Sequence, residues 1–111
     1  MFQQGDIISV WYPFFDNPKK GKVRPAIIIS NESSNQLDHD LLIVPITSTL
    51  RRDIFSFPIE NTDLTTALPK NCEARCNKIT TIRDTLIYGK VSSLKPEKHA
   101  ELVDKVCACI K

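Results

Sequence analysis

No apolar stretch in this chain approaches the roughly 20 residues that a membrane-crossing helix needs, so nothing in it reads as a membrane span. The opening residues, MFQQGDIISV, lack the basic start and long apolar run of a secretory leader, and a cytoplasmic location is expected. There is no internal repeat and no low-complexity segment. The net charge is only +2, so bulk charge argues for no class of partner. The four cysteines are spaced CxxxC and CxC, neither a usual zinc spacing. Cys72 and Cys76 lie four apart in a predicted strand, about 13 Å at roughly 3.3 Å per residue, which is too far to bridge. Cys107 and Cys109, two apart on a predicted helix, face different ways. All four read as small reduced residues, and no metal or cofactor is expected.

What is present suits one domain over residues 1–111, able to bury roughly two-thirds of its unfolded surface in a single core. Apolar and charged fractions of 41% and 25% are those of ordinary globular proteins. Charge is unevenly placed. Lys19, Lys20, Lys22 and Arg24 follow one another with no acid between Asp16 and Glu32. Such a run has two readings, a solvated loop or a local patch that draws phosphates.

Asp6–Tyr12 is β-rich and follows Gly5, so strand 1 is expected there. Pro13–Gly21 carries turn residues and reads as a loop. Its Phe14 and Phe15 have two readings, packing against the fold (the default) or stacking on a base. Val23–Ser30 forms strand 2, with Ala26–Ile29 apolar on both faces and therefore central. Arg24 precedes Pro25, which holds it extended. Asn31–Asp40 reads as a loop with at most one helical turn. Leu41–Ile46 forms strand 3, where Pro45 requires an edge or a bulge. Thr47, Ser48 and Thr49 then offer three hydroxyls, suited either to phosphate oxygens or to a plain Ser/Thr turn.

Phe55–Ile59 is a shorter strand, and Asn61–Pro69 a loop with a small strand at Thr66–Leu68. Cys72–Ile79 alternates, with Cys72, Ala74 and Cys76 facing the core and Glu73, Arg75 and Asn77 forming a polar stripe. That stripe is either solvent surface or the floor of a site. Thr80–Leu86 reads as a turn region and Tyr88–Val91 as a last strand. Pro96 opens a helix running to about Ile110, its apolar stripe formed by Val103, Val106, Cys107 and Ile110, with Leu102 beside it. Five to seven short strands and one helix predict a small bent β-barrel.

GD at 5–6, RPAIIIS at 24–30, VPITS at 44–48 and CEARCNKITTI at 72–82 resemble the MazF/PemK (Kid) toxins of type II toxin–antitoxin modules. The Gly-Lys-Val-Ser-Ser-Leu stretch before the helix adds to the likeness, which runs from Gly5 to Ile110. The resemblance implies a mainly β (α+β) fold, an SH3-like barrel with a C-terminal helix. It implies a homodimer that cuts single-stranded RNA without a metal, inhibits translation and is neutralised by a cognate antitoxin. Operator DNA would be met only through that antitoxin. Carried onto matching positions, it makes Arg24, Thr47 and Arg75 catalytic. Ser48, Asn77 and the lysines 19, 20 and 22 become RNA contacts.

Two departures stand out. Asn77 replaces an Asp that the Kid branch uses for proton transfer, and the loop after strand 1 has no His. Glu73 is then the candidate base, with a plain surface Glu as the other reading. His39 and His99 are taken as structural or solvent-exposed. The alternative functions are a gyrase-binding barrel of the CcdB kind, or a nuclease-dead member that only binds nucleic acid.

Overall fold

The long hairpin of β1 (Asp6–Phe14) and β2 (Asn17–Ile28) sets the frame on which the chain is built. The computed structural model of the chain describes residues 2–14 and 17–111, and for 13, 14, 17 and 18 the backbone alone. The hairpin register runs from Ile7 across from Ile27 to Pro13 across from Gly21, then shifts so that Phe14 meets Asn17. The residues expected to form a loop at Pro13–Gly21 are thus largely strand. The prolines and Gly21 do not prevent this, because the hairpin outruns its neighbours. β7 accompanies β1 only to Val10, and β3 accompanies β2 only to Ala26. Past those points the sheet is a two-stranded arm. Each strand there has a free edge, where a missing N–H costs nothing. The side chains of Phe14 and Phe15, and with them the stacking expectation, lie outside the described residues.

After a short helix α1 (Glu32–Asp38), longer than the single turn expected, β3 (Asp40–Thr47) takes the centre of the sheet. One edge of β3 pairs with β2, and the other is shared by two strands. β5 (Cys72–Arg75) takes Ile46 and Thr47, and β6 (Thr80–Arg83) takes Asp40–Ile43. Three steps along β3, from Ile43 to Ile46, correspond to six along the partner chain, from Thr80 back to Ala74. The surplus forms a turn at Cys76–Asn77, opposite Pro45, which has no donor to hold a ladder there. So the single strand expected at Cys72–Ile79 is broken, and the region taken for a turn at Thr80–Leu86 begins as strand.

β4 (Ser56–Ile59) and β7 (Ile87–Ser93) end the strand order β4-β5-β3-β2-β1-β7. The chain rolls these two ends together. Leu64 bridges Leu94, Thr65 N donates to Ser93 O (2.9 Å) and Lys95 N to Asp63 O (2.8 Å). This bridge and a 3₁₀ turn at Asn61–Asp63 replace the small strand expected at Thr66–Leu68.

Alternation along β2 feeds two cores. Ile27 joins Ile7, Val44 and Ile46 beneath the C-terminal helix, and Ala26 and Ile28 join Ile8, Ile43 and Ile82 on the other face. The helix α2 (Pro96–Ala108) packs through His99, Leu102 and Val106. The expected stripe is therefore rotated, with Cys107 and Ile110 exposed. The cause is His99, a polar residue that an apolar count passes over. Its Nε2 lies 3.1 Å from the Ile28 carbonyl oxygen, which satisfies the buried ring.

Candidate active site

The β2–β3 ladder stops at Ala26 across from Pro45. Pro25 lacks the N–H that would extend it. Beyond this point β2 follows β1 into the arm while β3 continues beside β5. Two steps past the last pair stand Arg24 on one strand and Thr47 on the other. Between them opens a cleft of about 300 Å³. It is lined by the polar residues Lys22, Arg24, Thr47, Ser48, Thr49 and Lys70 and by the apolar Val23, Pro25, Ile46, Leu68, Pro69 and Cys72.

Arg24 is half-buried, and among the described residues no carboxylate lies within ion-pair distance of it. Thr47 accepts from the backbone N–H of Thr49 at 3.0 Å, the Ser/Thr turn foreseen as the plainer reading. That bond uses the oxygen as an acceptor and leaves the hydroxyl proton to donate elsewhere. Among the described residues, no His, Asp or Glu lines the cleft. Cys72 does, but burial pushes its thiol up from the ordinary range, so it holds its proton at neutral pH.

Arg75 sits in the opposite situation. The expected polar stripe of β5 faces inward, leaving Glu73 2% and Arg75 8% exposed. One Arg75 nitrogen donates to Glu73 (2.9 Å), Ser56 Oγ (2.7 Å) and Asp53 (3.1 Å), the other to Asp53 Oδ2 (2.9 Å). The Arg75 fork, against the smaller opposing effect of desolvation, draws the Asp53 carboxyl down to about 2. Glu73 also accepts from the backbone N–H groups of Arg51 (3.0 Å) and Arg52 (3.2 Å) and from Ser56 Oγ. Burial alone would raise its pKa. These donors outweigh burial and hold it below the usual carboxylate range. Glu73 is therefore not the plain surface residue foreseen as one reading, and as the candidate base of the other it stands outside the cleft lining. It pins the 51–53 loop to β5.

The structure brings Lys22, Arg24, Thr47 and Ser48 to one cleft and leaves Arg75 and Asn77 out of it. Asn77 is exposed in the turn after β5, and Lys19 and Lys20 are exposed on the arm. Thr49 and Lys70 line the cleft without having been singled out from the sequence. Thr49 stood in view as the third hydroxyl. Lys70 carried no local signal, since it is the pairing of β5 with β3 that brings the loop just before β5 to the end of β3.

A sequence profile for the family described as PemK-like, MazF-like toxin of type II toxin–antitoxin system matches residues 3–110. No curated protein matches the chain in sequence. Among solved structures, an endoribonuclease in complex with its cognate antitoxin from a mycobacterial species aligns with a TM-score of 0.80 at 14% identity, over 99% of this chain and 95% of that one. The Mycobacterium tuberculosis toxin MazF-mt6 gives 0.74 at 18% identity, over 95% of each chain. A MazE–MazF structure from Deinococcus radiodurans gives 0.79 at 13%, over 98% and 95%. At such identities the likeness is one of fold, a seven-stranded antiparallel sheet with a C-terminal helix.

Proposed function

The chain belongs to the PemK-like, MazF-like toxins of type II toxin–antitoxin systems, and on that footing we propose that it is a metal-independent endoribonuclease that cuts single-stranded RNA at preferred sequences. Its effect is to inhibit translation. It acts as a homodimer and is neutralised by a cognate antitoxin. The observation that carries this reading is the cleft at the β2–β3 parting, where an arginine free of any described acid faces a threonine hydroxyl. A nucleotide can use both kinds of lining residue, cations and hydroxyls for its phosphate and apolar groups for its base.

In this reading the RNA supplies its own nucleophile. The 2′-oxygen attacks the adjacent phosphorus, the P–O5′ bond breaks, and a 2′,3′-cyclic phosphate and a 5′-hydroxyl are left. Arg24 grips two phosphate oxygens with its planar fork and meets the charge that builds on them. Thr47 donates to the phosphate or the 2′-oxygen and fixes the attack line. Ser48, Lys22 and Lys70 hold neighbouring phosphates, and Lys19 and Lys20 draw the strand along the arm. Among the described residues the cleft has no carboxylate or imidazole, and in this reading water takes the 2′-proton and returns one to the 5′-oxygen. We assign Arg75 to the architecture of the 51–56 loop.

Purified protein incubated with a long RNA in EDTA is expected to cut at discrete sites and leave cyclic-phosphate and 5′-hydroxyl ends. Arg24→Ala is expected to lose roughly 10²–10³ in rate, about 3–4 kcal/mol of transition-state stabilisation, with an unchanged melting curve. Cleavage by Arg24→Ala at the wild-type rate would sink the site assignment. Intact RNA with a retarded band would instead mark a binding module, and intact RNA with gyrase inhibition a CcdB-like toxin.

A further inference from the structure

The strand registers lay one row of residues across a single face of the sheet. Ala26 opposes Pro45, Thr47 opposes Glu73, and Glu73 opposes Pro58. Opposed residues share a face, and so do residues two apart on one strand. Arg24 and Thr47, two steps from Ala26 and Pro45, therefore face the same way as Glu73 and Pro58. The 50–53 loop is fixed onto this row one strand past Thr47. There Glu73 Oε1 accepts from the backbone N–H groups of Arg51 (3.0 Å) and Arg52 (3.2 Å). Neighbouring strands lie about 4.8 Å apart, so the anchor is next door to the Arg24–Thr47 cleft. A second hollow of about 230 Å³ opens beside it, lined by Leu50, Arg52, Pro58, Glu60 and Asn71 among others. The two hollows share Cys72, and Thr49 and Lys70 of the first are followed in the chain by Leu50 and Asn71 of the second.

Arg52 itself is strained. Its φ of +52° is a left-handed conformation that glycine takes freely and that an arginine Cβ opposes. Strain of this kind gathers at ligand-binding segments, where the surrounding structure holds it in place. The Glu73 bonds do so here, and they hold the backbone alone, so they would hold a glycine as well. The Arg52 side chain is exposed, and among the described residues no ion pair engages it.

We propose that Arg52 holds the RNA phosphate next to the scissile one, which makes the second hollow the subsite of the adjoining nucleotide. The proposal rests on the endoribonuclease reading and extends its site by one strand. A phosphate is the group that the surroundings fit. The guanidinium fork matches it, and the hollow continues, on the same face, a cleft already lined by Lys22, Arg24 and Lys70. Of the two acids in the hollow, Glu73 is neutralised by Arg75. Glu60 follows the last β4–β5 pair, Ile59 with Cys72. Its carboxylate accepts from a sugar hydroxyl or a base amino group and repels a phosphate, which leaves that group to Arg52.

The wild-type cut site is first mapped. A labelled oligonucleotide of that sequence, 2′-O-methylated at the cleavage position so that it cannot react, is then titrated with protein from about 50 to about 200 mM salt and followed by anisotropy. Arg52→Gly is expected to bind it roughly ten-fold more weakly, and to lower the slope of log affinity against log salt by about 0.7, the share of one phosphate on a single strand. KM for cleavable RNA rises to match with kcat nearly unchanged. Arg52→Lys, which keeps the charge, retains the wild-type slope. The melting temperature of Arg52→Gly equals or exceeds that of wild type, because the strain is gone and the bonds to Glu73 remain. A loop of purely structural use would give the opposite pattern, with RNA affinity and salt slope unmoved, and that result overturns the proposal. So does an Arg52→Gly effect confined to an acidic protein partner. A wild-type protein that neither binds nor cuts RNA overturns the endoribonuclease reading itself, and shows this before any Arg52 variant is made.

Discussion

Arg24 and Arg75 are the same side chain in two electrostatic settings. Arg24 has no described acid to neutralise it, so its fork is open to a phosphate. Arg75 is nearly buried and bonded to two carboxylates and a hydroxyl. Breaking such a buried pair from one side strands the other charge, which commonly costs about 3–5 kcal/mol. We therefore expect Arg75→Ala to destabilise the protein by that order in a denaturant titration. Any RNA cleavage it loses should follow the unfolded fraction, whereas Arg24→Ala loses rate with stability intact. A stable, fully folded Arg75→Ala that cannot cut RNA would return Arg75 to the catalytic set. The two arginines look alike in sequence, each in an alternating strand beside apolar residues. What separates them is Asp53 and Ser56, placed against Arg75 from 22 and 19 residues away by the β4–β5 pairing.

At the scale of elements, Gly5 shows how the entry to β1 is fixed. Its φ is +91°, its N–H donates to Ile28 O at 2.9 Å, and its carbonyl accepts from Leu94 N at 2.9 Å. An added Cβ would stand 3.5 Å from Leu94 O and 3.7 Å from the His99 ring, so contact is tolerable and the backbone angle is the obstacle. Gly5→Ala should cost about 1–2 kcal/mol in a thermal melt while leaving KM for RNA unchanged, since the cleft lies at the far end of the hairpin. Strand interiors were legible in the sequence because Ile7, Ile8, Ala26–Ile28 and Leu41–Ile46 carry their own apolar pattern. The arm was not, because proline, asparagine and glycine signal a loop wherever a third strand would need their donors, and none lies there. The offset face of α2 escaped because its first packed residue is a histidine whose partner, Ile28 O, is 71 residues away. The Arg24–Thr47 pair was legible because each residue ends an apolar run, and the two runs are neighbours in the sheet. Lys70 was not, since only the pairing of β5 with β3 places it there.

The whole molecule gathers its shifted ionisable groups into a pH dependence with two limbs. On the acid side, burial depresses His99 below its ordinary 6.5, and Asp53 is held down to about 2 with Glu73 also lowered. The unfolded chain binds these protons first, so stability is full above about pH 6.5 and falls as pH drops through the folded values. On the alkaline side, burial raises Cys76 from 9.0 to about 11. Burial likewise raises Tyr12 from 10.0 to about 12, against smaller downward pulls from Thr80 and the Arg24 charge. Here the unfolded chain releases protons that the folded one keeps, so stability is present below pH 9 and is lost as pH climbs toward 12. The Tyr12 share can be isolated. Among the described residues its buried hydroxyl makes no hydrogen bond of ordinary geometry, the Thr80 side chain offering a weak one at most, so Tyr12→Phe should be neutral or stabilising by up to about 1 kcal/mol at neutral pH. Between pH 10 and about 12 the phenylalanine variant should also escape part of the alkaline loss. Urea titrations of both proteins at about pH 8 and about pH 11 should show the gap between them widening by on the order of 1 kcal/mol. Cys76 is common to both, so a residual slope remains in each. Parallel alkaline slopes would mean that the Tyr12 phenol ionises as freely in the folded protein as in the unfolded one, and that the face it shares with Arg24 is open to water.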